Sequence, residues 1–174
     1  VKGIARDLYA SGLGKFIDNS KISFKSKLNK KIKVSIQKNS GCSQFGSLII
    51  QGIKNCESPR WLKSHLSSIG LKPISAVVDI TNFIMIDLNR PMHAYDLNTI
   101  AKKEIIVRKS KSNERFLALD DKEYNLPTNS CVIADKNSVL GLGGIIGGKT
   151  SSISDNTCDI VLEAAAFDPI SISS

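Results

Sequence analysis

Apolar positions recur along this chain with two periods, and the switch between them marks out its elements. In GIARDLYASGLG, residues 3–14, Ile4, Ala5 and Leu8 share one helical face, and Gly12 and Gly14 can stop the helix. KIKVSI, residues 31–36, alternates Ile32, Val34 and Ile36 with the period of a half-buried strand. FGSLIIQGI, residues 45–53, predicts a second and more deeply buried strand. A helix follows, with Ser58 as N-cap, Pro59 at its first position, a stripe of Trp61, Leu62, His65, Leu66 and Ile69, and Gly70 as its stop. Helical spacing returns at Ile80, Phe83, Ile84 and Leu88, where Asp79 or Thr81 can cap. Beyond it the runs shorten. Residues 104–109, 115–119 and 122–126 read as strands, the last two joined at Asp120-Asp121; 131–135 and 138–148 read as a pair around Lys136-Asn137. IVLEAAA, residues 160–166, is a final strand, after which Asp168-Pro169 opens a helix. Two or three helices with eight or so strands predict an α+β fold: β-rich, with a largely antiparallel, sandwich-like core and helices covering one side.

Composition limits the function classes. With 41% apolar residues in 174, the chain can bury one good core, and at 6% aromatics that core must be mainly aliphatic. No apolar run is long enough to span a membrane, and no signal peptide opens the sequence. Cys42, Cys56, Cys131 and Cys158 are far apart and form no CxxC pair, so isolated reduced thiols are expected rather than a zinc site. Charge is uneven. Residues 1–72 hold 14 Lys/Arg against 3 Asp/Glu, and residues 73–174 hold 10 against 13. Eight lysines fall between Lys15 and Lys38, suited either to tracking phosphates or to a solvated connector centred on Lys21 to Asn29.

Gly143, Gly148, Lys149 and Thr150 match the phosphate-loop formula GxxxxGK[ST], which works only where a helix begins at the lysine. TSSISDNT follows instead, a stretch rich in β-branched and cap-forming residues. A nucleotide-binding protein using Gly143–Thr150 is therefore the alternative from a different class. Neither histidine has a Cys or Ser neighbour in a nucleophile pattern, and Gly-x-Ser-x-Gly is absent. His65 reads as a structural or surface residue. Glu163 stands in an apolar strand, where a buried acid needs a partner; either it serves a site or it pairs with a local Lys or Arg. His93 lies between Pro91 and Asp96, either as a site residue or as a satisfied core histidine.

Two stretches, VVDITNFIMIDLNRPMHAYDL (residues 77–97) and IVLEAAAFDP (160–169), closely resemble the β subunit of bacterial phenylalanyl-tRNA synthetase, in the region called the B3/B4 domain. The resemblance runs from about Ile4 to the end and is weakest between Lys15 and Lys38. It implies an editing domain that hydrolyses the ester of tyrosine wrongly attached to the tRNA specific for phenylalanine. It also implies a substrate-binding set of Thr81, Asn82, His93, Gly144, Glu163 and Ala165. Glu163 and His93 would read the tyrosine hydroxyl, Thr81, Asn82 and Gly144 would shape the pocket and hold ester and water, and Ala165 would line its wall. No side-chain nucleophile is implied, because the ester is already activated and the adjacent ribose hydroxyl can position water.

The expected division is a helix and Lys-rich connector over 1–38 and the editing domain over 39–174, with its C-terminal end truncated. The resemblance further implies tRNA and the synthetase α subunit (an α2β2 assembly) as partners and a cytoplasmic location without a membrane. It implies no metal or cofactor for this domain, with ATP and magnesium serving only the complete synthetase. A non-catalytic tRNA-binding module of the same subunit is the alternative within the family.

Overall fold

A computed structural model describes residues 2–17 and 30–173. The connector Lys21 to Asn29 lies outside the described residues, as do Lys21, Lys25 and Lys27 of the lysine cluster. Helix α1 (Lys2–Ala10) stops where expected: Gly12 takes φ +76°, and the Leu13 amide donates to the Leu8 carbonyl at 3.0 Å. None of its side chains is buried.

The strands β1 (Lys33–Ile36), β4 (Glu104–Lys109), β7 (Cys131–Ala134), β8 (Val139–Leu142) and β9 (Ile146–Gly147) form one sheet in the order β1-β4-β7-β8-β9. A second sheet holds β2 (Cys42–Ile50), β10 (Ile160–Phe167) and β3 (His93–Asp96) in the order β2-β10-β3, and β5 (Arg115–Leu117) pairs with β6 (Glu123–Asn125). β1 runs parallel to β4, with Lys33 opposite Glu104 and their side chains paired at 2.8 Å; the other described pairings are antiparallel. β1 thus belongs to the main sheet, although it falls within the 1–38 stretch read as helix and connector.

β7 is buried on both faces, and its alternation explains the two cores. Cys131 and Ile133 join Tyr95, Val107, Leu140 and Val161 in a cluster shared by the two larger sheets. Val132 and Ala134 point the other way, onto Phe116, Ala118 and Leu126 around the β5–β6 ribbon. The fold is the expected α+β arrangement. β2 departs from expectation: it begins at Cys42 and leaves most of its residues exposed or half-exposed, because it is an edge strand covered on one face only.

The two central helices depart in detail as well. α2 (Arg60–Ser68) buries Leu62 and Leu66, each about 1.5–3 kcal/mol better off than exposed, while Trp61 and Ile69 stay at the surface. Ser58 does not cap it. The Ser58 hydroxyl donates instead to Asp79 Oδ2 at 2.5 Å. α3 (Ala76–Leu88) starts before the residues expected to cap it, so Asp79 and Thr81 lie inside the helix. Asp79 reaches back to accept the Ile74 amide at 2.8 Å, and Thr81 donates to the Val78 carbonyl at 2.7 Å. α2 and α3 pack on each other, and α3 lies against β3. A short α4 (Pro169–Ser173) follows Asp168, whose carboxylate accepts the Ser171 amide at 2.8 Å, the expected opening of that helix. No described helix is long and apolar enough to cross a membrane.

Candidate functional site

Strands β3 and β10 build the site. Their register sets His93 directly opposite Glu163 and Tyr95 opposite Val161, so His93, Tyr95 and Glu163 emerge on one face. Pro91 precedes β3, and Asp96 ends it, accepting the Thr157 hydroxyl at 2.6 Å and the Asn98 amide at 2.8 Å. Tyr95, diagonal to Glu163 across the strands, is 1% exposed and donates its hydroxyl to Glu163 Oε2. The His93 ring stands edge-on to the Tyr95 ring, with centroids 4.5 Å apart.

These side chains line a cavity of about 720 Å³ that is otherwise mostly apolar. Met85 from α3, Met92, Phe167 and Ile172 form part of its wall, and the β8–β9 hairpin closes another side with Gly141, Gly144 and Gly147. The hairpin glycines are needed for space. A methyl group on Gly147 would stand 2.6 Å from His93 Nε2, one on Gly143 would stand 2.7 Å from the Phe167 ring, and Gly144 sits at φ +70°.

Burial tunes both ionisable groups. It pushes the Glu163 carboxyl up to about 7, a rise that the Tyr95 hydrogen bond opposes. It holds His93 down at about 4, so the imidazole is neutral at physiological pH. His93 Nε2 is buried with no hydrogen-bond partner among the described residues. A polar atom so placed in an apolar cavity costs stability unless something else satisfies it. His93 is therefore not a satisfied core histidine, and the partner of Glu163 is a tyrosine rather than a lysine or arginine.

Of the residues singled out in the sequence, His93, Gly144, Glu163 and Ala165 meet on the cavity wall. Thr81 and Asn82 do not line it; Thr81 is buried within α3, and Asn82 is half-buried on the same helix. Tyr95 and Gly147 escaped the sequence reading. Tyr95 was within reach, since it lies two positions after His93 and so shares its strand face. His65 is a surface residue, its Nδ1 2.9 Å from the Trp61 carbonyl oxygen. All four cysteines are free.

The phosphate-loop match dissolves in the structure. Gly143–Ile145 is the tight connection of the β8–β9 hairpin, closed by the Ile145 amide donating to the Leu142 carbonyl at 3.1 Å. No helix follows Lys149, whose amine pairs with Asp121 at 2.7 Å.

Residues 41–174 match the family model described as the B3/4 domain. This chain belongs to the B3/4 domain family. The whole chain is 42% identical over 173 residues to the phenylalanine–tRNA ligase β subunit of Bradyrhizobium diazoefficiens, covering 99% of this chain and 21% of that protein. Against the same subunit of Ehrlichia canis it is 46% identical over 173 residues, covering 99% and 22%. The chain thus spans about a fifth of the length of these relatives. The fold of the chain is also similar to that of an N-terminal fragment of the phenylalanyl-tRNA synthetase β subunit from Pyrococcus horikoshii. That match has a TM-score of 0.56 and 14% identity, and it covers 98% of this chain and 52% of the fragment.

Proposed function

We propose that this B3/4 domain hydrolyses the ester joining tyrosine to the tRNA specific for phenylalanine, as the editing part of a phenylalanine–tRNA ligase. The observation that carries the reading is the unpartnered His93 Nε2 directly across the strands from buried Glu163, in a cavity with apolar walls. The ionised carboxylate accepts the phenolic hydrogen of a bound tyrosine, and Nε2–H donates to the phenolic oxygen. Phenylalanine fits the same walls but leaves His93 Nε2 and the second Glu163 oxygen without a partner, which is the stronger form of discrimination.

Water then attacks the ester carbonyl carbon and the bond to the ribose oxygen breaks, releasing tyrosine and tRNA with a free terminal hydroxyl. Binding geometry supplies the orientation, and the neighbouring ribose hydroxyl positions the water. By the resemblance Thr81, Asn82 and Gly144 hold the ester end; Gly144 lines the cavity, whereas Thr81 and Asn82 lie on the helix that contributes Met85 to it. The step needs no cofactor. Aminoacylation, with its ATP and magnesium, belongs to the partner α subunit.

The test is deacylation of tyrosyl- against phenylalanyl-tRNA by the complete ligase that contains this domain. Glu163→Ala removes a charge-assisted hydrogen bond worth roughly 1.5–3 kcal/mol, so tyrosyl-tRNA hydrolysis is expected to fall on the order of ten- to a hundredfold. The preference for tyrosine should shrink with it. His93→Ala should act alike, and aminoacylation with phenylalanine should survive both changes. Normal deacylation by both folded variants would overturn the site; a wild-type enzyme that binds tRNA without deacylating it would mark the domain as a docking module.

A further inference from the structure

The Glu163 carboxylate already holds one phenolic hydroxyl, that of Tyr95, in the structure without any ligand. Tyr95 is fully buried, fixed on β3 two residues from His93, and its ring is braced against the imidazole. Its hydroxyl reaches Oε2, and no protein group hydrogen-bonds Oε1 among the described residues.

We propose that Tyr95 is a specificity-positioning residue. By occupying Oε2 it fixes the carboxylate plane and leaves Oε1 as the single acceptor for a phenolic hydroxyl entering beside His93. This inference rests on the editing reading and deepens it, because it assigns the two carboxylate oxygens separate duties. Without the internal hydroxyl, Glu163 would be free to rotate or to keep its own proton, and a protonated Oε1 is a poorer acceptor. The titratable groups that face Glu163 are Tyr95 and His93 on β3, Cys42 on β2 and Cys131 on β7. Among the described residues only Tyr95 hydrogen-bonds to it.

The experiment measures the ratio of tyrosyl- to phenylalanyl-tRNA deacylation by the complete ligase across pH 5.5–8.5, a ratio that cancels the intrinsic pH dependence of ester hydrolysis. Wild type should show a ratio rising with pH, and Glu163→Gln should flatten it. Tyr95→Phe keeps the ring but loses the hydroxyl; its ratio should drop roughly three- to tenfold, with its midpoint moved to higher pH. Substituting 3-fluorotyrosine at position 95, a stronger donor that preserves the fold, should move the midpoint to lower pH. A residue that merely packs would shift neither midpoint. If Glu163→Gln abolishes the preference while both Tyr95 replacements keep the wild-type ratio and midpoint, this inference falls and the editing reading stands. If the wild-type ligase shows no preference for tyrosyl-tRNA, the editing reading falls first.

Discussion

Glu163, buried, and His93, half-buried with a buried Nε2, stand side by side with opposite preferences for a proton, and folding must accommodate both. Glu163 is raised from 4.5 to about 7, so the folded state binds more protons than the unfolded chain between those values, and its contribution to stability declines as pH rises through that window. His93 is lowered from 6.5 to about 4, so there the unfolded chain binds more protons and stability rises with pH between about 4 and 6.5. The two slopes oppose each other between 4.5 and 6.5, and only that of Glu163 remains between 6.5 and about 7. Glu163→Gln should therefore be more stable than wild type at pH 8, on the order of 3 kcal/mol at most. Its stability should also climb from pH 4 to 6.5 where the wild-type curve is nearly flat. Urea denaturation across pH 4–8 checks both features; a variant curve parallel to wild type would contradict the assignment. The burial of Glu163 was legible from its apolar neighbours in IVLEAAA. Its partner was not, because Tyr95 is 68 positions away and meets it only through the β3–β10 register.

Between elements, a buried side-chain hydrogen bond joins the approach to α2 with α3, beside two bonds from the α3 amides of Ala76 and Val77. Ser58 and Asp79 are both buried, and the Ser58 hydroxyl is the only side-chain donor Asp79 has among the described residues. Ser58→Ala would leave a buried carboxylate oxygen unpaired and should cost about 1–3 kcal/mol, seen as a lower urea midpoint with unchanged slope. Capping propensity pointed to Ser58 as a local N-cap; tertiary contact used its hydroxyl elsewhere, and nothing in residues 55–60 alone announces that. The hairpin carrying Gly143–Gly148 shows the converse, a local pattern that held. The residues after Lys149 argued against a helix and none forms. ATP and GTP should accordingly show no saturable binding in equilibrium dialysis. Micromolar affinity abolished by Lys149→Ala would reverse this reading of the loop.

For the whole molecule, the division into an α+β core with mostly antiparallel strands was legible from periodicity, since the inner positions of β4, β7 and β10 are mostly aliphatic, with Cys131 and Glu163 the exceptions. The parallel pairing of β1 with β4 was not, because it joins strands separated by β2, α2, α3 and β3, and alternation cannot name a partner so distant. Thr81 and Asn82 entered by resemblance alone, and the structure sets them on a helix beside the cavity rather than in its wall. Charge adds a test at this scale. If the lysines from 21 to 38 track tRNA phosphates, neutralising four of them in the complete ligase should flatten the slope of log affinity against log salt by roughly 3–4, leaving the tyrosine preference untouched. An unchanged slope would leave those lysines as solvating charge.

The glycine wall of the cavity also has a consequence for mutational history. Three of its positions disfavour a side chain: Gly147 by the His93 ring, Gly144 by its left-handed backbone, and Gly141 by the Ile146 carbonyl oxygen 3.3 Å from where a methyl would sit. Single substitutions along that side lead to misfit rather than to a new pocket. Met85 on α3 and Met92 before β3 line another part of the cavity with flexible side chains that exchange volume at little cost. Drift and laboratory selection for a different ligand therefore have one open direction, from the methionine side inward.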